Sequence, residues 1–96
     1  MLYCVEMDVH IPETWSEEKL KDYITKEQQT SQKYQKSGKW VYLWRVAGQY
    51  SNISILDVES PDELHQILTE LPLFPYMTMK VKSLCKHPNA IRETML

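Results

Sequence analysis

A glutamate stands where a helix should be apolar. Leu20, Tyr23, Ile24, Ser31 and Tyr34 recur at helical spacing, and Glu27 lies on the same stripe, three residues after Ile24 and four before Ser31. A carboxylate turned toward a core is costly unless paired, and loss of water raises its pKa. A raised pKa is what a general base working near neutral pH needs. The plainer reading has Glu27 bending out to solvent or pairing with Lys26 or Arg45. Arg45 itself sits in a run of Trp40, Val41, Leu43 and Trp44. It either snorkels outward or holds an anion through its two-pronged guanidinium. Tyr50, Asn52 and Ser54 share one side of the next extended run. They face solvent, or, if that side lines a cavity, offer hydrogen bonds to a polar substrate. His65 lies at the edge of a second apolar helical stripe, as a half-buried structural histidine or as support for a site.

These groups need elements to position them. Leu2 to His10 alternates, with Tyr3, Val5, Met7 and Val9 on one side, which predicts a half-buried strand ended by Pro12. Thr14 and Glu17 fit a capping box, so a helix is expected from there to about Lys36, stopped by Gly38. Trp40–Val46 and Tyr50–Val58 flank Ala47-Gly48-Gln49 and predict a hairpin. Ser60-Pro61-Asp62-Glu63 opens a second helix whose apolar face is Leu64, Ile67, Leu68 and Leu71. Leu71-Pro72-Leu73-Phe74-Pro75-Tyr76-Met77 is apolar, yet its two prolines exclude a regular helix or a central strand. It is a core plug, a pocket wall or a subunit contact; Phe74 and Tyr76 are its candidate substrate-contacting side chains. Met77, Met79 and Val81 then alternate as a last strand, and residues 86–96 form a polar, extended tail. The order βαββαβ is the ferredoxin-like α+β arrangement, in one domain spanning residues 1–96. Its helices cover one sheet face, so the other face calls for a second subunit.

Composition narrows the chemistry. The 96 residues carry a net charge of −2, which argues against a nucleic-acid surface. Lys80, Lys82 and Lys86 read as the solvated face of a strand. Cys4 and Cys85, and the scattered His10, His65 and His87, match no metal spacing. With Gly38 and Gly48 the only glycines, no phosphate-cradling loop exists. No metal and no cofactor is expected. No secretion signal and no bilayer-spanning apolar run is read, so a cytoplasmic protein is expected.

Gly38-Lys39-Trp40, Leu43-Trp44-Arg45-Val46-Ala47-Gly48, Tyr50-Ser51-Asn52 and Leu56-Asp57-Val58 together resemble the central signature of the muconolactone isomerases. Leu64-His65, the proline segment, the opening Met1-Leu2-Tyr3 through Pro12, and the late Leu84-Cys85-Lys86-His87-Pro88 extend the resemblance over nearly the whole chain. It implies a ferredoxin-like subunit in a dimeric αβ barrel, assembled into a larger homo-oligomer, a decamer built from dimers. It implies a cofactor-independent isomerase of catechol degradation, in the β-ketoadipate pathway of aromatic hydrocarbon catabolism. The reaction would turn (+)-muconolactone into 3-oxoadipate enol-lactone by a 1,3-proton shift. On that reading Glu27 is the base, Tyr50 and Asn52 hold the lactone oxygen, and Arg45 with Lys26 holds the substrate carboxylate; His65 supports the site. Gln49 and Ile53 depart from the family pattern, where His and Tyr are frequent, and alter the pocket if either faces it. The alternatives are a dehalogenase of chlorinated muconolactone on the same scaffold, a non-catalytic ligand-binding or assembly module, and a haem-binding relative of the same fold.

Overall fold

The computed structural model describes residues 1–92. β1 (Leu2–Val9) follows its alternation: Tyr3, Val5 and Met7 are buried, while Cys4 and Glu6 are half-buried on the other side. α1 (Glu17–Ser37) starts later than the capping box predicts. Ser16, not Thr14, is the cap, its Oγ accepting from the Lys19 N–H at 3.1 Å. A turn closed by the Trp15 N–H on the Pro12 carbonyl, at 3.2 Å, holds Thr14 outside the helix. Ser16→Ala should therefore cost about 1 kcal/mol and Thr14→Ala almost nothing, read as shifts in the denaturant midpoint; equal losses would restore Thr14 as the cap. Gly38 ends the helix at φ +85°, with its N–H returning to the Gln35 carbonyl.

β2 (Trp40–Arg45) and β3 (Ser51–Asp57) form the predicted hairpin, each slightly shorter than expected. Between them the Gln49 N–H closes on the Val46 carbonyl at 3.1 Å, with Gly48 at φ +80° as the third turn residue. That is a type II turn, and its third position requires the left-handed backbone that glycine supplies. α2 (Pro61–Glu70) begins as predicted, Ser60 Oγ accepting from the Glu63 N–H at 3.1 Å. The proline segment becomes a turn of 3₁₀ helix over Phe74–Tyr76, followed by β4 (Met77–Leu84). Residues 85–92 carry neither helix nor strand. The end of the predicted tail, residues 93–96, lies outside the described residues.

The four strands form one antiparallel sheet in the order β2-β3-β1-β4, the ferredoxin-like topology. Pairing runs Tyr3 to Leu56, Val5 to Ser54 and Met7 to Asn52 across the centre, and Val5 to Val81 and Met7 to Met79 toward β4. This face carries the core: Tyr3, Val5, Met7, Trp40 and Leu56 meet Leu64, Ile67, Leu68 and Leu71 of the α2 side. Each such side chain contributes about 1.5–3 kcal/mol on burial. Ile24, expected on the α1 stripe, is 41% exposed. It lies on the flank, while Leu20, Tyr23, Glu27, Ser31 and Tyr34 turn inward. The helices are tied laterally: the Tyr34 hydroxyl donates to Glu70 Oε2, and Lys33 Nζ reaches Glu70 Oε1 at 3.3 Å. The opposite sheet face is uncovered and partly apolar, with Tyr42 and Trp44 stacked at 5.9 Å and Trp44 61% exposed. No helix among the described residues is long and apolar enough to cross a membrane.

Candidate active site

The register sorts the candidates by face. Arg45, Asn52, Met7 and Met79 lie in one row across the helix-covered face, and Leu43, Ser54, Val5 and Val81 in the next. Arg45 and Asn52 are thus cross-strand partners on the same side of the sheet as α1. Ile53 pairs with Glu6 and Trp44 and so points to the open face. Its departure from the family pattern bears on that surface and not on the covered side.

Glu27 is half-buried and faces inward from α1. Its Oε1 accepts a hydrogen bond from the Leu73 backbone N–H at 2.9 Å. Burial raises the carboxyl above its ordinary range, and the Leu73 hydrogen bond pulls it partly back. The bond arises from the proline segment. Pro72 has no N–H, the Phe74 N–H returns to Leu71 and the Tyr76 N–H to Leu73, leaving the Leu73 N–H free to reach across to α1. The segment is therefore plug and wall at once: Leu71 and Leu73 are buried in the core, while Phe74 and Tyr76 are only partly covered.

The other candidates divide. Arg45 lies on the rim, its guanidinium 5.2 Å from the centre of the Tyr50 ring and its Nη1 3.5 Å from the Gln49 carbonyl. Tyr50 is in the hairpin turn rather than in β3, because the strand begins at Ser51, and its ring is 45% exposed. It reaches Arg45 from the turn and not from a shared strand side. Asn52 Oδ1 accepts from the Ser54 hydroxyl at 2.9 Å. Lys26 is turned out along the exposed side of α1, where it pairs with Asp22 at 3.0 Å; it is not brought to Glu27. His65 is exposed rather than half-buried, since Leu64, Ile67 and Leu68 take the inward face of α2. Its ring meets Phe74 edge-on at 6.3 Å. Tyr76 packs on Trp15 at 4.7 Å and on Tyr23 at 6.2 Å, an aromatic cluster joining the proline segment to the start of α1. Among the described residues no group of His, Cys, Asp and Glu is arranged to hold a metal ion.

Sequence reasoning left four participants unplaced. The Leu73 N–H leaves no trace in residue types. Ser54 was grouped with Tyr50 and Asn52, but a serine in strand alternation does not announce complete burial. Trp15 reads as a core or interface anchor and Tyr23 as part of the α1 stripe, and nothing in their spacing to Pro75-Tyr76 joins them to that segment.

The family model described as muconolactone delta-isomerase matches residues 1–90. Muconolactone Delta-isomerase 1 of Acinetobacter lwoffii is 52% identical over 93 residues, covering 97% of each chain. Muconolactone Delta-isomerase of Rhodococcus opacus is 52% identical over 91 residues, covering 95% of this chain and 98% of its own. A crystal structure of muconolactone isomerase superposes with a TM-score of 0.93 at 41% identity, over 98% of both chains. These matches run over almost the whole chain, so this chain belongs to the muconolactone delta-isomerase family.

Proposed function

We infer that this chain is an isomerase that converts (+)-muconolactone to 3-oxoadipate enol-lactone by a 1,3-proton shift in catechol degradation. The observation that carries the mechanism is the inward-facing Glu27, held through one oxygen by the Leu73 N–H with the other oxygen not engaged by it. The ionised carboxylate takes the proton from the ring carbon that bears the side chain. The electron pair left behind moves through the ring double bond to the lactone carbonyl, giving a 2-oxyfuran dienolate. The same carboxyl then returns the proton to the carbon next to the carbonyl, which leaves the double bond one position along and Glu27 ionised again. Asn52 and Tyr50 donate to the oxygen on which charge develops, a stabilisation of roughly 3–4 kcal/mol for one well-placed donor. Arg45, on the rim beside Tyr50, takes the substrate carboxylate as a two-pronged partner. Phe74 supplies apolar wall, with Tyr76 behind it in the aromatic cluster; His65, against Phe74, supports that wall. Lys26 enters only if it leaves Asp22.

The working unit we infer is a single-domain subunit whose open face, with Tyr42, Trp44, Ile53 and Ile55, packs on a second copy, in a larger homo-oligomer in the cytoplasm. The deciding experiment follows ultraviolet absorbance of the purified protein with muconolactone and 5-chloromuconolactone side by side. Rapid isomerisation of the plain lactone is expected. Chloride release without isomerisation of the plain lactone would make the chain a dehalogenase, and no reaction with either would make it a binding module.

A further inference from the structure

Ser54 is a fully buried polar residue, 0% exposed, between hydrophobic neighbours in its row. A hydroxyl in that setting must give its proton to an acceptor, and here the acceptor is Asn52 Oδ1 at 2.9 Å. The two residues are i and i+2 on β3, so both point to the helix-covered face. This hydrogen bond favours the amide orientation in which Asn52 Oδ1 faces Ser54. With Oδ1 held by Ser54, the NH₂ end, with its two donors, is turned away from the Ser54 side. In the reversed amide Nδ2 would donate to the Ser54 Oγ, and the buried Ser54 proton would lose the one acceptor it has among the described residues. Asn52 has no other recorded side-chain partner among the described residues, so nothing else fixes its amide plane.

We propose that Ser54 is a positioning residue that locks the Asn52 amide with its NH₂ group presented to the lactone oxygen. The proposal rests on the reading of Asn52 as a donor to that oxygen. Without Ser54, the amide is free to turn its oxygen toward the developing negative charge, which removes a donor and adds a repulsion. The loss should fall on kcat, because the interaction matters most when charge has built up on the oxygen.

Four proteins test this: wild type, Ser54→Ala, Asn52→Ala and the double variant, each assayed on muconolactone. Asn52→Ala is expected to lower kcat by about 100-fold and Ser54→Ala by about tenfold, with KM within about twofold of wild type in the latter. The double variant should match Asn52→Ala, because Ser54 has nothing left to position. A double variant slower by the product of the two losses would mean that Ser54 acts through packing, and would overturn the proposal, as would an unimpaired Ser54→Ala. Full activity in Asn52→Ala would instead overturn the reading of Asn52, and this proposal with it. If Ser54→Ala fails to fold, Ser54→Cys preserves the side-chain shape with a weaker donor. The same cycle then applies, with a smaller coupled loss expected and an additive one again overturning the proposal.

Discussion

Glu27→Gln should lower kcat by about 10⁴-fold, the upper range for removing a general acid–base group. The amide keeps the shape of the carboxylate and can still accept the Leu73 N–H, but it cannot take a proton from carbon. Stability separates this from a structural defect. The folded-state pKa of Glu27 is raised by burial, so the folded protein prefers its protonated form. Its contribution is most favourable below the unfolded-state pKa and is lost as pH rises through the folded-state value. At neutral pH the ionised carboxylate therefore opposes folding. Glu27→Gln, uncharged throughout, should resist denaturant at least as well as wild type near neutrality, with the difference shrinking in mild acid. Activity of the wild type runs the opposite way: kcat/KM should fall on the acid side as Glu27 takes up its proton, at a pH above the ordinary carboxylate range. An inactive but unstable Glu27→Gln would assign the residue to the fold, and an active one would end its role as base.

Arg45→Met should lower kcat/KM by about 10²- to 10³-fold, most of it through KM, since two charge-assisted hydrogen bonds contribute about 1.5–3 kcal/mol each before allowance for the exposed rim. The substrate carboxylate keeps its charge through the reaction, so its partner binds ground state and transition state alike. The methyl ester of muconolactone is the control. Wild type should prefer the acid strongly, and Arg45→Met should handle acid and ester almost equally. A preserved preference in the variant would place the carboxylate elsewhere and return Arg45 to a stacking partner of Tyr50.

The βαββαβ order, the stop of α1, the start of α2 and the hairpin were legible because each rests on local chemistry: alternation, a glycine at the helix end, Ser60 ahead of Pro61. The inward face of Glu27 was legible for the same reason, as an exception to helical periodicity. The cap at Ser16 was not, because Thr14 has Glu17 three residues on and completes a capping box, whereas Ser16 has Lys19 there, and the Pro12–Trp15 turn that holds Thr14 outside the helix overrides that pattern. Lys26 immediately precedes Glu27 in sequence, but one residue is about 100° of helix, enough to carry it to Asp22 on the outer side. His65 was drawn inward by its nearness to Leu64, while three leucine and isoleucine side chains had already filled that face. Tyr50 needed the strand boundary, which the turn sets at Ser51. Pairings between distant segments, such as Leu73 with Glu27, are products of the whole fold.

The partner of Glu27 is a peptide N–H, and that gives its support an unusual genetic character. No side-chain replacement at position 73 removes it, apart from proline, so the contact is silent in an alanine scan and places no direct demand on which amino acid stands there. Selection can act on it only through the path of the backbone, which Pro72 and Pro75 stiffen from either side. A family can therefore vary residue 73 freely, within what the core accepts, and still hand down the same base in the same place.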